Sequence, residues 1–210
     1  MEGVEYLNTA KEIMGNNFIG YNELNLIAER MGFTVPYIIP EIPYSIKELE
    51  DKCEDYILVL GISEMLNGEK LTIKALHSRF GTRPDISEPC FYNQDWYLDE
   101  AFIFEFLQNR WYLVKKEVIT SSRSLNPERI LRSNVHFPSA IIAIYTFFVF
   151  YLCKNEILWK HDFIWCSDLD HNGDRIYVGK YLDIDLKNRN GFSIHRNLTL
   201  RNCYGSIDVF

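Results

Sequence analysis

The chain has 210 residues, with 22 Lys and Arg against 29 Asp and Glu, a formal net charge of −7. Hydrophobic residues make up 47% and charged residues 24%, which excludes a collagen, a low-complexity tail and a charge-driven disordered chain. Of roughly 36,000 Å² presented by an extended chain of this mass, about 10,000 Å² stays exposed after folding, so a real core is expected. One globular domain over residues 1–210 follows, within which residues 1–52 could form a helical subdomain.

Charge is uneven along the chain. Residues 1–105 hold 19 acids and 8 bases, whereas residues 106–154 hold 2 acids and 7 bases. The acidic first half argues against nucleic acid binding over the whole surface. The basic middle keeps a local anion site open. Five cysteines (Cys53, Cys90, Cys153, Cys166, Cys203) are odd in number and lack any Cys-x-x-Cys, so reduced thiols in a cytoplasmic protein are expected, not a zinc ribbon or a dithiol centre. The first residues lack a basic region followed by an apolar one, as a secretory signal would need. The run Ala140–Cys153, broken only by Thr146, spans about 21 Å as a helix, short of the roughly 30 Å hydrocarbon core. It is expected to be a buried core helix of a protein with no membrane contact.

In chain order, apolar spacing near 3.6 predicts helices over Tyr6–Met14 and Tyr21–Met31, the second ended by Gly32. Three prolines within Pro36–Pro43 predict an extended, irregular segment. Ser45 and Glu48 form a capping box for a short helix to about Asp51. Tyr56–Leu60, followed by Gly61, is a continuous apolar run and predicts a buried strand. Thr72 caps a helix to Phe80. Asp95–Asn109 is expected to be helical, capped by Asp95, with Trp96, Leu98, Phe102 and Phe106 inward. Trp111–Val114 predicts a strand, and Ser121–Asn134 a polar loop with one turn beginning at Pro127. After the core helix, Phe163–Cys166 and Ile176–Val178 flank Asn172-Gly173, a strong hairpin signal. Phe192–Leu200 and Ser206–Phe210 add strand candidates. The order implies an α+β fold: N-terminal helices, an antiparallel or mixed sheet packed on one apolar helix of about 139–153, and a C-terminal β-meander.

Four segments stand out together: Asn17–Gly20, Phe91-Tyr92-Asn93-Gln94-Asp95-Trp96-Tyr97, Trp111–Lys116, and Ser167-Asp168-Leu169-Asp170-His171-Asn172-Gly173-Asp174-Arg175. In this order the chain resembles a family of uncharacterised bacterial proteins of similar length, from about residue 17 to about 180. The resemblance implies a bacterial single-chain protein and transfers no catalytic residue.

Three segments are site candidates. Asp168, Asp170, Asn172 and Asp174 offer closely spaced oxygens of the kind Ca²⁺ or another divalent metal takes. They match the first, third, fifth and sixth-position pattern of an EF-hand loop with Gly173, but Arg175 and Gly179 stand where an apolar residue and a bidentate Glu belong. The competing reading is a plain hairpin in which Asp170 faces Arg175 and Asp168 faces Tyr177. The basic stretch Lys115, Lys116, Arg123, Arg129 and Arg132 could hold an anion or nucleic acid, although no Gly-rich phosphate cradle accompanies it. It could equally pair with the acidic half. The aromatic segment 91–97 could stack on a sugar or a base, or lie in the core.

His77, His136, His161, His171 and His195 show no ligand spacing, and Gly-x-Ser-x-Gly and His-Glu-x-x-His are absent. A Cys166/His195/Asp168 arrangement would need geometry that spacing does not supply. The reading that follows is a non-catalytic binding protein for an unknown protein or small ligand, with no required cofactor. The alternatives are a divalent-metal-dependent hydrolase or nuclease-like enzyme using Asp168, Asp170 and Asp174, and an anion or nucleic acid binder through residues 110–132.

Overall fold

A computed structural model describes residues 2–132, 135–180, 190–196 and 200–210. The first helix, α1 (Glu2–Met14), runs through a short 3-10 turn into strand β1 (Phe18–Ile19). Helix α2 (Tyr21–Met31) has the predicted bounds and ends where Gly32 adopts φ 74°, a left-handed cap open to glycine at little cost. Its N-terminus is closed by Glu23, whose Oε2 accepts the Gly20 N–H at 3.0 Å. Helix α3 (Ile46–Lys52) has the predicted capping box: Ser45 N–H donates to Glu48 at 2.8 Å and Glu48 N–H donates to Ser45 Oγ at 3.3 Å. Helix α4 (Ile73–Phe80) is capped by Thr72, whose Oγ1 accepts from Ala75. Helix α5 (Pro127–Leu131) opens on Pro127 with Asn126 as its cap.

Helix α6 (Ala140–Lys154) has every residue from Ala143 to Phe150 buried. A helix apolar on all faces must be surrounded. Its neighbours are α2 and α4 and the strands β4 (Phe163–Leu169) and β5 (Arg175–Gly179). Tyr145, fully enclosed, donates its hydroxyl to Leu60 O at 2.7 Å.

The strands form two mixed sheets, where a single sheet was expected. In the first, β1 pairs parallel with β2 (Tyr56–Leu60), which pairs antiparallel with β3 (Trp111–Lys115), Leu58 opposite Leu113. The second has the order β6 (Ser193–Arg196), β5, β4, β7 (Tyr204–Gly205), with β7 parallel to β4. The C-terminal meander is therefore not purely antiparallel. After β7 the chain crosses to the first sheet: Val209 bridges Val114, and Phe210 exchanges two 3.1 Å backbone hydrogen bonds with Leu113. One tail thus ties both sheets together. The main core extends from Ala10 to Ile207, and a smaller aromatic cluster of Phe163, Trp165, Tyr177 and Tyr204 lies with Ile130 of α5. No helix among the described residues is long and apolar enough to cross a membrane.

The helix expected over Asp95–Asn109 does not form. Only Ala101–Phe104 coils, as a 3-10 turn. Tyr97, Phe102, Ile103 and Leu107 are buried, while Phe106 is exposed. Phe106 instead bridges Thr72, and the Trp96 indole donates to Ile194 O at 3.2 Å. Tertiary partners on two sides hold this segment open.

Candidate functional site

The β4–β5 hairpin turns at Asp170–Gly173, with Gly173 at φ 83° and its N–H donating to Asp170 O at 3.0 Å. Leu169, not Asp170, pairs with Arg175, and a bulge separates that pair from Trp165–Tyr177. The expected cross-strand pairs Asp170–Arg175 and Asp168–Tyr177 are therefore corrected. Asp170 closes an Asx turn, its Oδ1 accepting from the amides of Asn172 and Asp174, both at 2.8 Å. Its Oδ2 takes the Arg196 guanidinium at 2.6 Å. Burial pushes the Asp170 carboxyl up, but the Asp174 amide, Arg196 and the Asn172 amide outweigh burial and hold it below the usual carboxylate range.

Asp168 points elsewhere. Its Oδ2 accepts the Ala140 N–H at 2.6 Å, capping α6, whose own Ser139 side chain makes no capping bond. Burial raises the Asp168 carboxyl against the opposing pull of the Ala140 amide. The four residues Asp168, Asp170, Asn172 and Asp174 consequently do not gather into one oxygen cage. Among the described residues, the group that does gather is Glu100, Asp170 and His171, whose ligand atoms lie within 4.8 Å of one another. Glu100, buried just before the 3-10 turn, accepts His171 Nδ1 at 2.6 Å and the His171 backbone N–H at 2.9 Å.

The basic segment is already partly neutralised. Arg123 makes a bidentate pair with Asp162 at 2.5 and 2.7 Å, and Lys115 pairs with Asp55 at 3.2 Å. The Lys116 amide donates to Asp55 O, and Arg129 and Arg132 are exposed on and after α5. The aromatic segment divides: Phe91 and Tyr97 are buried core, Trp96 is half-buried beneath Arg196 at 4.5 Å, and Tyr92 is exposed. Cys166 belongs to the main core, while His195 stacks on Tyr177 in the aromatic cluster. They occupy opposite faces of the second sheet, so they do not form a catalytic dyad. All five cysteines are free thiols, and burial pushes Cys166 well above its ordinary range.

A groove of about 630 Å³ opens between the start of α1 and the proline-rich strap, lined by Val4, Tyr6, Leu7, Ile39, Pro40 and Ile42. The strap is anchored below: the Trp111 indole donates to Pro40 O at 2.9 Å, the Tyr6 hydroxyl donates to Tyr44 O, and Tyr44 donates to Phe210 O at 2.5 Å. Tyr37, which lines the groove, is 97% exposed, and its chain neighbour Ile38 is 83% exposed. Glu41 lines the groove. Three of the four bases of residues 1–52 are engaged elsewhere: Lys11 with Glu23, Arg30 with Glu88 O, and Lys52 over the rings of Tyr56 and Phe210. The signal for this groove lay in the sequence as Tyr37-Ile38-Ile39, an apolar run too proline-flanked to pair in a sheet. Glu100 and Arg196 had no such signal, being 70 or more residues and 26 residues from Asp170. Compared with protein families, curated proteins and solved structures, the chain matches none.

Proposed function

We propose that the protein is a non-catalytic binding protein whose groove between α1 and the strap takes an apolar segment of a partner protein, flanked by Lys or Arg. The observation that carries this reading is the exposure of Tyr37 and Ile38 beside an anchored apolar groove. Large apolar side chains left open together on a fixed backbone mark an interaction surface, and a strap held at Pro40 and Tyr44 loses little freedom on binding. The charge follows from the same region: residues 1–52 hold nine acids and four bases, and Glu41 faces the groove. The free thiols support placement in a reducing compartment such as the cytoplasm.

The test uses short fluorescent peptides with the same apolar centre and either Lys or Glu flanks, titrated with the full chain and read by anisotropy. Lys-flanked peptides are expected to bind, with loss in Tyr37→Ser and in Glu41→Lys. Equal binding of Glu-flanked peptides, or no binding of any, overturns the reading. Both substitutions are at exposed positions, so the variants keep the fold.

A further inference from the structure

We infer that Glu100, Asp170 and His171 form a three-donor site for a single divalent cation of the zinc class, at the tip of the β4–β5 hairpin. The donor set is one imidazole nitrogen and two carboxylates, with ligand atoms within 4.8 Å of one another. This is not a run of surface acids. The side chain of Asp170 is fully enclosed and that of Glu100 is 7% exposed, while that of His171 is 65% exposed. The site therefore has a protein-enclosed floor and one solvent-facing ligand through which a cation enters.

The turn orients the donors. Two amides hold Asp170 Oδ1, which aims Oδ2 at the cluster. The His171 amide bonded to Glu100 Oε2 holds the imidazole and Glu100 Oε1 in register. These are the supporting hydrogen bonds that orient ligands in zinc sites. Three donors leave a fourth tetrahedral position open. With bonds of about 2.0 Å, donor atoms in a tetrahedral site stand roughly 3.3 Å apart. The 2.6 Å His171–Glu100 contact widens by rotation of the exposed imidazole.

Charge favours the same conclusion. Glu100 and Asp170 share one guanidinium, Arg196, at 3.5 and 2.6 Å. The two carboxylates and the one guanidinium together have a formal net charge of −1. A divalent cation takes the Nδ1 lone pair and the carboxylate oxygens, and the Nδ1 proton that Glu100 accepts moves through solvent to the exposed Nε2, so the imidazole binds as a neutral ligand. Arg196 competes with it for Asp170 Oδ2 but remains stacked over Trp96 at 4.5 Å, so it need not leave the site. The imidazole selects zinc-class metals over Ca²⁺ and Mg²⁺, which prefer oxygen throughout.

The experiment is isothermal titration of the full chain with Zn²⁺, alongside His171→Ala and Arg196→Met, and a Co²⁺ absorption spectrum. One Zn²⁺ per chain is expected. Even outer partners of zinc ligands change affinity about 10–100-fold, so His171→Ala should weaken binding at least about tenfold. Arg196→Met should tighten it, or, if the uncompensated carboxylates unfold that variant, Zn²⁺ should restore its melting transition. The Co²⁺ spectrum should lack a thiolate charge-transfer band. No binding by the wild type, unchanged affinity in His171→Ala, or a thiolate band pointing to the half-buried Cys53, Cys153 or Cys203 would each overturn the site. His171 is exposed, so His171→Ala stays folded.

Discussion

Asp168 caps a helix that is not its own, and this makes a sharp prediction. The carboxylate lies on β4 and accepts the Ala140 N–H at 2.6 Å, while Ser139, the residue adjacent to α6, leaves its side chain out of the cap. Removing a capping acceptor typically destabilises by about 1 kcal/mol. Asp168→Ala should lose that amount, which lowers the melting temperature by about 2–4 °C at this chain length. Asp168→Asn keeps an acceptor oxygen and removes the charge. Burial raises the folded-state carboxyl above its ordinary value, even with the helix N-terminus and Ala140 amide acting against it. The folded state then binds more protons than the unfolded state between the ordinary and the raised value, so stability falls as pH rises through that window. At neutral pH the ionised Asp168 is a net liability, and Asp168→Asn should match or exceed wild-type stability. The assay is thermal melting of the three proteins from pH 7 down to pH 4. The Asn advantage should be largest at pH 7 and close on acidification, as protonated Asp and Asn become near-equivalent. An Asn variant as unstable as Ala at pH 7, or a gap that widens in acid, refutes the argument.

Tyr145→Phe removes a fully buried hydroxyl and leaves Leu60 O without that donor. It should cost about 1–3 kcal/mol by denaturant unfolding, with no change in m-value. Gly191→Ala places a Cβ 2.1 Å from the Phe91 backbone, where neither chain can yield by a side-chain rotation, so soluble yield or melting temperature should drop sharply. Arg123→Ala breaks the bidentate pair with Asp162; discounted for partial exposure, the loss should be about 1–2 kcal/mol, and it should shrink in high salt. Phe147→Ala, at 2% exposure in α6 with Phe192 at 4.4 Å, should lose about 3–5 kcal/mol.

The elements legible in the sequence are those whose cause is local. Helix α2 ends at Gly32 because a left-handed residue was needed there, and α3 and α4 start at Ser45 and Thr72 because those side chains satisfy first-turn amides. Strand β2 was visible as five apolar residues in a row because all five are buried. The segment 95–109 departs from its expected helix for the opposite reason. Its conformation is set by Ile194 and Thr72, which bond to it from distant parts of the chain, and its high aromatic content is equally compatible with a helix. The division into two sheets was illegible too, since it rests on which strands pair across long stretches of chain, β1 with β2 and β3 and β4 with β5, β6 and β7.

The Asp168–Asp174 segment shows how one register residue changes the chemistry. With a two-residue turn at Asn172-Gly173, alternation would put Asp168 and Asp170 on one face. The bulge between Trp165 and Leu169 breaks that alternation. Asp168 is turned to the end of α6, and Asp170 is drawn into the turn, where two amides and Arg196 hold it. Carboxylates that look like one ligand set in a string are thus divided between a helix cap and an enclosed ion cluster. What replaces the string is a set assembled across distance: Glu100 from the irregular segment, Arg196 from β6, Asp170 and His171 from the hairpin. An isolated pair of buried carboxylates beside one guanidinium would be a poor source of stability, because desolvation offsets most of the attraction. His171 at the solvent edge gives the cluster a donor with an open side, which a purely structural ion pair does not need.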